Sequence, residues 1–118
     1  MKNILWEPKN YHYKDSNIAK FISYVNKNYN QSISDYDNLY QWSISDLSSF
    51  WQSVLEFCEI SYSSNYNSVL TNSSSMIDSC WFDGLEFNFA ENLLKFKDDK
   101  IAIQYFCEDK IQGTITYK

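Results

Sequence analysis

Apolar residues recur at three- and four-residue steps in the first part of the chain, which is the spacing of one face of an α-helix. The first such run follows Ser16, a residue type that caps helices because its hydroxyl oxygen accepts a hydrogen bond from a free backbone amide. We therefore predict an amphipathic helix that ends near Asn28. Its apolar positions are Ile18, Phe21, Ile22 and Val25.

Two further helices are predicted before residue 60. Ser34 or Asp35 can cap the first of them, and Asp46 can cap the second. The second carries a broad apolar stripe suited to a buried partner surface, so we expect part of it to stay exposed in this chain. The apolar positions are Tyr36, Leu39, Tyr40 and Trp42 in the first helix and Leu47, Phe50, Trp51, Val54, Leu55, Phe57 and Cys58 in the second.

The composition changes after residue 60, where serine, asparagine and tyrosine dominate. Residues 61–87 are therefore predicted to be loop-rich, with Asp83-Gly84 as a turn. A short helix is predicted over residues 88–97, because Asn88 and Glu91 have the spacing of a capping box, in which each side chain bonds the other residue's amide.

The last segment changes from a helical to an alternating pattern. Residues 101–107 and 111–117 are rich in β-branched and aromatic residues, and an acidic turn separates them, which predicts a β-hairpin over residues 101–117. The predicted fold is one α+β domain over residues 1–118, with three to four short helices followed by this C-terminal hairpin, the segment 1–60 being helical. An isolated hairpin is marginal in water and exposes two edges, so it looks like the start of a larger sheet.

Charge and composition exclude several functions. The net charge is −5 and all ten basic residues are lysine, whereas nucleic-acid interfaces normally use arginine, so no nucleic-acid partner is expected. No apolar run reaches the roughly 18 residues of a membrane span, and the N-terminus lacks a secretory signal, so we expect no membrane partner and a cytoplasmic location. The two glycines, Gly84 and Gly113, are too few for a glycine-rich phosphate loop.

The residue types that commonly catalyse reactions or bind metals do not form a recognisable cluster in the sequence. Cys58, Cys80 and Cys107 are widely spaced, which is typical of reduced, partly buried thiols and not of a disulfide framework or metal site. The one histidine, His12, lies in a polar segment, and the pair Asp98-Asp99 lies between lysines, as in a solvated turn. We therefore predict no catalytic, cofactor-binding or metal-ligating residue in this chain.

Aromatic residues make up 19% of the chain and include four tryptophans. Such side chains can form a stacking platform for a sugar or another flat ligand, but at helical spacing they more often form a core or an interface. A core or interface role is favoured for Trp51, which lies on the apolar stripe of the third helix. Trp81 follows an irregular segment, and its role stays open.

One block of the sequence has the pattern of a known family. It runs from Trp81-Phe82-Asp83-Gly84 to Asn88-Phe89-Ala90-Glu91-Asn92-Leu93-Leu94 and resembles the N-terminal region of the adenylate-forming acyl-CoA synthetases, the acetoacetyl-CoA synthetases in particular. Asp83 stands where proline is common in that family, and Phe89 where tyrosine is common. Weaker matches, in family order, extend the resemblance over nearly the whole chain. They are Leu5–Pro8, Asn17-Ile18 with Phe21, Asp35-Tyr36, Leu39, Trp42-Ser43, Phe50-Trp51, Ile101–Ile103 and Thr114–Tyr117.

The resemblance implies the incomplete start of a larger adenylating domain. In that family a carboxylate attacks ATP to give an acyl-adenylate and pyrophosphate, and the thiol of coenzyme A then displaces AMP. The family's phosphate loop and catalytic lysine lie downstream of the region matched here. The parent enzyme is thus expected to use ATP, Mg²⁺ and CoA, none of them bound by this chain, and the chain alone is expected to be inactive.

Three hypotheses remain open on the sequence. The first is a truncated, structural N-terminal part of an acetoacetyl-CoA synthetase-like ligase, whose partner is the remainder of the adenylating domain or a complementary chain, with self-association where nothing covers it. The second is a stand-alone docking or regulatory module, or a split subunit, that packs on a complete synthetase. The third is an aromatic-rich ligand-binding domain outside the family.

Overall fold

The structure, a computed structural model, describes residues 13–72, 74–108, 110 and 112–118. Predictions for residues 1–12, which include His12 and Leu5–Pro8, lie outside these residues. The mixture of helices and antiparallel strand pairs confirms the predicted α+β class. In chain order the elements are α1 (Asn17–Asn28), α2 (Tyr36–Ser45), α3 (Leu47–Phe57), β1 (Ser68–Thr71), β2 (Cys80–Asp83), α4 (Phe89–Leu93), β3 (Ile101–Phe106) and β4 (Gln112–Thr116).

The chain divides into two compact units. The first, which we call the N-terminal unit, comprises the described residues up to Glu59 together with Tyr66–Asp83. The second, the C-terminal unit, comprises Ile60–Asn65 and the described residues of Gly84–Lys118. The N-terminal unit holds α1, α2, α3 and the strand pair β1–β2, and the C-terminal unit holds α4 and the strand pair β3–β4.

The three helices of the N-terminal unit begin where the sequence predicts. Ser16, Asp35 and Asp46 each accept a hydrogen bond from the backbone amide three residues further on, at 3.2, 2.9 and 3.0 Å. Of the two candidates for the cap of α2, the structure selects Asp35. These bonds satisfy amides that have no partner within the helix, and each is worth about 1 kcal/mol.

The core of the N-terminal unit lies between its helices and is largely aromatic. The ring of Phe21 in α1 meets the rings of Phe50 and Phe57 in α3 edge-on, with centroids 5.9 and 5.2 Å apart. Trp42 in α2 meets Phe50 in the same way at 5.8 Å. The edge-to-face geometry is the favoured one for aromatic pairs, so these contacts join all three helices. The buried apolar side chains are Phe21, Ile22, Val25, Ile33, Leu39 and Trp42.

Helix α3 carries the predicted apolar stripe, which is only half-buried. Phe50, Val54 and Phe57 pack against the core, whereas Trp51 is 42% exposed. The fully buried residue of α3 is Ser53, which the apolar pattern does not predict. Its hydroxyl donates to the carbonyl of Phe50 at 2.6 Å, so the side chain is satisfied within its own helix. The expectation that part of the stripe stays exposed is confirmed.

A strand pair replaces part of the predicted loop. The sequence predicts a loop-rich segment over residues 61–87, but β1 and β2 pair antiparallel within it, with Leu70 opposite Trp81 and Thr71 opposite Cys80. Each strand is only four residues long and shows no clear alternation of apolar and polar residues, so the pattern does not reveal them. Strand β1 packs on α3, and this tertiary contact favours the extended conformation.

The C-terminal unit begins with a helix that is shorter than predicted. The sequence predicts helix over residues 88–97, whereas α4 ends at Leu93 and the amide of Leu94 closes its last turn on Ala90 at 2.9 Å. No described residue of this unit is buried. A helix without a buried face has little to extend it, because most helical stability in proteins comes from packing.

The predicted C-terminal hairpin is confirmed. Strands β3 and β4 pair antiparallel, with Gln104 opposite Thr114 and Tyr105 opposite Gly113. The ring of Tyr105 lies where a Cβ at Gly113 would project, so a larger residue at this position would displace the tyrosine. The pairing continues past β4, since the Tyr117 amide donates to the Lys100 carbonyl at 3.2 Å.

Candidate interaction surface

The family-like block begins at the end of β2, where the backbone of Phe82 is strained. Its φ of 49° lies in the left-handed region, which bulky residues adopt rarely and at a cost of about 1–3 kcal/mol. The ring of Phe82 packs edge-on against Tyr66 at 5.3 Å, and the residues on either side pair with β1. Packing and pairing therefore hold a conformation that the residue would not adopt by itself.

Trp81 and Trp51 form an exposed aromatic ledge on the N-terminal unit. Their rings meet edge-on with centroids 5.8 Å apart, and the two residues remain 43% and 42% exposed. With Phe82 they line an open cleft of about 410 Å³. The ledge brings together residues 30 positions apart in the sequence. For Trp51 the sequence favours a core or interface role, whereas the role of Trp81 is left open.

The asparagines of the block bind the backbone of the C-terminal unit. The Asn88 side chain caps α4 by accepting from the amides of Ala90 and Glu91 at 2.9 and 3.3 Å. The Asn92 side chain accepts from the Ser61 amide and donates to the Ser61 carbonyl, both at 2.8 Å. These side chains therefore fix local structure. The cap is predicted from the sequence, whereas the bond to a residue 31 positions away is not.

An apolar groove lies on the helices of the N-terminal unit. Its volume is about 280 Å³, and exposed Tyr36 and Tyr40 of α2 stand at its rim, 60% and 50% exposed. The groove is open to solvent and offers few polar groups to a ligand. Its lining residues are Ile18, Phe21, Tyr36, Leu39, Tyr40, Ser43, Phe50, Val54, Phe57 and Cys58.

A carboxylate between two phenols is the main electrostatic feature of the N-terminal unit. Glu56 Oε2 accepts from the hydroxyls of Tyr24 and Tyr29 at 2.9 and 2.7 Å, and Oε1 accepts from Gln52 at 3.2 Å. Burial raises the pKa of Glu56, but the hydrogen bonds from Tyr29, Tyr24 and Gln52 outweigh burial, so the pKa lies below its usual value. Burial and the bond to Glu56 raise the pKa of Tyr29 and of Tyr24. The cluster ties α1 to α3.

The remaining acidic candidates serve local structure. The hydrogen bond from Lys100, followed by weaker contacts with the same residue, holds the pKa of Asp98 below its usual value, and the two side chains form an ion pair at 3.1 Å. The hydrogen bond from the Asn38 backbone amide is the main reason why the pKa of Asp35 lies below its usual value. In the part of the chain that the structure describes, no three His, Cys, Asp or Glu side chains lie close enough to hold a metal ion.

The cysteines differ from the prediction of partly buried thiols. Cys58, Cys80 and Cys107 form no disulfide and are all exposed, because the half-buried stripe of α3 and the open strands leave their positions at the surface. Among the described residues, no helix has the length and apolar content needed to cross a bilayer.

The sequence pattern and the fold define a class of protein. A profile of the acetyl-coenzyme A synthetase N-terminus matches residues 36–93, which span α2 through α4 and contain the aromatic ledge and both asparagines. The chain belongs to the acyl-CoA synthetase family and corresponds to its N-terminal region.

Particular relatives narrow this class. The chain is 37% identical over 109 residues to the acetoacetyl-CoA synthetase of Danio rerio, covering 91% of this chain and 16% of that protein. It is 35% identical over 112 residues to a malonamoyl-CoA synthetase of Penicillium aethiopicum, covering 89% of this chain and 16% of that protein. The solved acetoacetyl-CoA synthetase from Streptomyces lividans superposes with a TM-score of 0.83 at 25% identity, covering 95% of this chain and 18% of that one. The chain thus spans less than a fifth of the relatives it matches.

Proposed function

We propose that the chain is the N-terminal, structural part of an acetoacetyl-CoA synthetase-like ligase and is inactive alone. The observation that carries this proposal is the C-terminal unit, in which the apolar side chains of α4 and the hairpin remain exposed and no described residue is buried. Such surfaces in soluble proteins are usually covered by another part of the structure. The matched relatives are several times longer than this chain, so the rest of the adenylating domain is the proposed partner.

The chemistry of the proposed parent enzyme is carried by that larger part. There, acetoacetate would react with ATP to give an acyl-adenylate, which the thiol of CoA would convert to acetoacetyl-CoA, with Mg²⁺ on the phosphates. The polar side chains of the family-like block support a structural role for this chain, because Asn88 and Asn92 use their hydrogen bonds on the backbone of their own unit.

The acyl group of the parent is proposed as acetoacetyl because that name belongs to the Danio and Streptomyces relatives. The malonamoyl-CoA synthetase is almost as similar, at 35% identity. Acetoacetyl and malonamoyl groups share a second carbonyl at the β-position of the acid. The proposed substrate class is therefore a short carboxylate with a β-carbonyl, and acetoacetate is the first candidate.

We place the protein in the cytoplasm. The three exposed cysteines form no disulfide, and exposed thiols persist in a reducing compartment. Where the adenylating part is absent, the exposed faces are expected to cause self-association of the chain.

Turnover and complementation assays test the proposal. The purified chain with ATP, Mg²⁺, acetoacetate and CoA is expected to release no pyrophosphate above the blank. A fusion in which this chain replaces the matching region of the Streptomyces lividans enzyme is expected to fold and to form acetoacetyl-CoA. Adenylate formation by the chain alone, or a fusion that cannot fold, would contradict the proposal. Tight binding of the chain to the intact synthetase would favour the second candidate, a separate docking module or subunit.

A further inference from the structure

The hairpin of the C-terminal unit has two chemically different faces. Side chains alternate between the faces of a strand, and directly opposed residues share a face. Ile103 is opposite Ile115, and Tyr105 is opposite Gly113, so these positions form one apolar face. On the other face Gln104 is opposite Thr114 and Phe106 is opposite Gln112, so that face is polar except for Phe106 near the turn.

The apolar face is uncovered. Ile103, Tyr105 and Ile115 are 55%, 42% and 53% exposed. Antiparallel sheets with one apolar and one polar face normally pack the apolar face on a core and leave the polar face in water. Here the alternation is present, but the structure provides no core beneath it in the described residues of this unit. The face is therefore shaped for contact with something else.

Charged residues lie at the ends of the hairpin and not on the apolar face. At the open end, Lys100 pairs with Asp98 at 3.1 Å and Lys118 with Asp99 at 3.6 Å. At the turn the sequence places Glu108 and Lys110. An apolar centre with a charged rim is the usual arrangement of a protein–protein interface.

We propose that the face formed by Ile103, Tyr105 and Ile115 is the surface through which the C-terminal unit docks on the adenylating part of the ligase. The inference rests on the proposed function. The Streptomyces lividans enzyme shares the fold over 95% of this chain, yet the chain covers only 18% of it, so the greater part of such an enzyme is available to cover the face. The occupant is expected to offer an apolar surface without unpaired charges.

A second copy of the chain is the competing occupant, and the size of the face disfavours it. Two strands about 17–20 Å long and about 4.8 Å apart present roughly 200 Å² on one side. Two copies joined by this face would bury about 400 Å² in total, which is in the range of crystal-packing contacts and far below the roughly 1,600 Å² of a stable interface. A larger partner can cover this face as one part of a wider contact.

The test compares neighbouring positions of β4 in two settings. Ile115→Glu places a carboxylate on the apolar face, and Thr114→Glu places the same side chain on the polar face one residue away. Each is made in the isolated 118-residue chain and in the fusion described above. In the fusion, Ile115→Glu is expected to lower the Tm by about 4 °C or more, with Thr114→Glu near the unaltered value. In the isolated chain, where both side chains are exposed, the two variants are expected to melt alike.

A further variant and the pattern of results distinguish a failure of the docking face from a failure of the proposed function. Ile115→Val keeps the face apolar, so the Tm of this fusion is expected to stay close to that of the fusion with the unaltered chain. Equal melting of both glutamate variants in the fusion would overturn the docking face but leave the proposed function standing. A fusion with the unaltered chain that cannot fold overturns both. Sedimentation that shows an isolated dimer, lost only in Ile115→Glu, would make a second copy the occupant and overturn the inference.

Discussion

The N-terminal and C-terminal units have similar proportions of apolar residues but use them differently. In the N-terminal unit, Phe21, Val25 and Leu39 are 7%, 0% and 4% exposed, and they lie within a core shared by three helices. In the C-terminal unit, Phe89 and Leu93 of α4 are 68% and 54% exposed. The difference teaches that one unit contains its own stabilising core, whereas the other is held by backbone pairing and side-chain caps.

This contrast has a physical basis in burial. Covering a large apolar side chain contributes about 1.5–3 kcal/mol, and the core of the N-terminal unit gains this several times. The hairpin of the C-terminal unit relies on ladder hydrogen bonds, whose net contribution in water is about 1 kcal/mol each and is offset by the entropy of ordering the strands. A two-stranded sheet of this kind is marginal unless something packs on it.

The largest expected effect compares two leucines, one in each unit. Leu39→Ala in α2 removes a buried side chain and leaves a cavity, so it is expected to lower the free energy of unfolding by about 2–5 kcal/mol. Leu93→Ala in α4 removes an exposed side chain and is expected to change it by about 0.5 kcal/mol or less. Urea unfolding followed by circular dichroism measures both. Equal losses would mean that α4 is buried in solution and would break the comparison.

The second expectation concerns local opening. Amides of α1 and α3 are expected to exchange with deuterium only on global unfolding, whereas those of β3 and β4 are expected to exchange about a hundredfold faster or more, because the hairpin has no buried side to protect it. Hydrogen exchange followed by mass spectrometry resolves the two units. A dilution series serves as the control, since self-association would slow exchange in β3 and β4 at high concentration. Uniform protection at low concentration would contradict the comparison.

The third expectation tests how the C-terminal unit is held together. Asn92→Ala removes the bonds to both backbone groups of Ser61, which lies 31 residues away, and it is expected to cost about 1–2 kcal/mol locally. The expected result is faster exchange of the Ser61 amide, with α1 to α3 unchanged. The matched control is Asn88→Ala, which removes the cap of α4 and is expected to cost about 1 kcal/mol without exposing Ser61. If Asn92→Ala also speeds hydrogen exchange in α1 to α3, the C-terminal unit does not open independently of the N-terminal unit, which would contradict the comparison.

Local features of both units are predictable from sequence, and long-range ones are not. The caps at Ser16, Asp35, Asp46 and Asn88 depend on residues within a few positions, so their residue types identify them, except that the choice of Asp35 over Ser34 follows only from the structure. The alternation of β3 and β4 likewise marks the hairpin. These elements form because of interactions within the segment itself.

The missed features depend on residues far apart along the chain. Strands β1 and β2 are four residues each without clear alternation, and β1 packs on α3, so their own residues do not specify the pair. The contact between Trp51 and Trp81 joins residues 30 positions apart, and the resemblance to the synthetases, although correct, says nothing of this geometry. The block's asparagines are visible as a family pattern, but the bond of Asn92 to Ser61 follows only from the fold.

The smallest expected effect is the pH dependence of the Glu56 cluster, which only the N-terminal unit contains. The pKa of Glu56 is lowered on folding, so its contribution is present above the unfolded value of about 4.5 and is lost as the pH falls through the folded pKa. The pKa of Tyr29 is raised on folding, so its contribution is present below pH 10 and is lost as the pH rises through the folded pKa. Glu56→Gln is expected to cost about 0.5–1 kcal/mol at pH 7 and to flatten both limbs of the profile.

Urea unfolding from pH 3 to about pH 11 measures this profile, and Glu86→Gln in the C-terminal unit is the matched control. The control is expected to leave both limbs unchanged, because the N-terminal unit contains the buried core and therefore sets the cooperative transition. A variant of Glu86 that flattens the profile as much as Glu56→Gln would assign the pH dependence to the exposed unit. The pH dependence of unfolding would then not distinguish the two units, which would contradict the contrast between them.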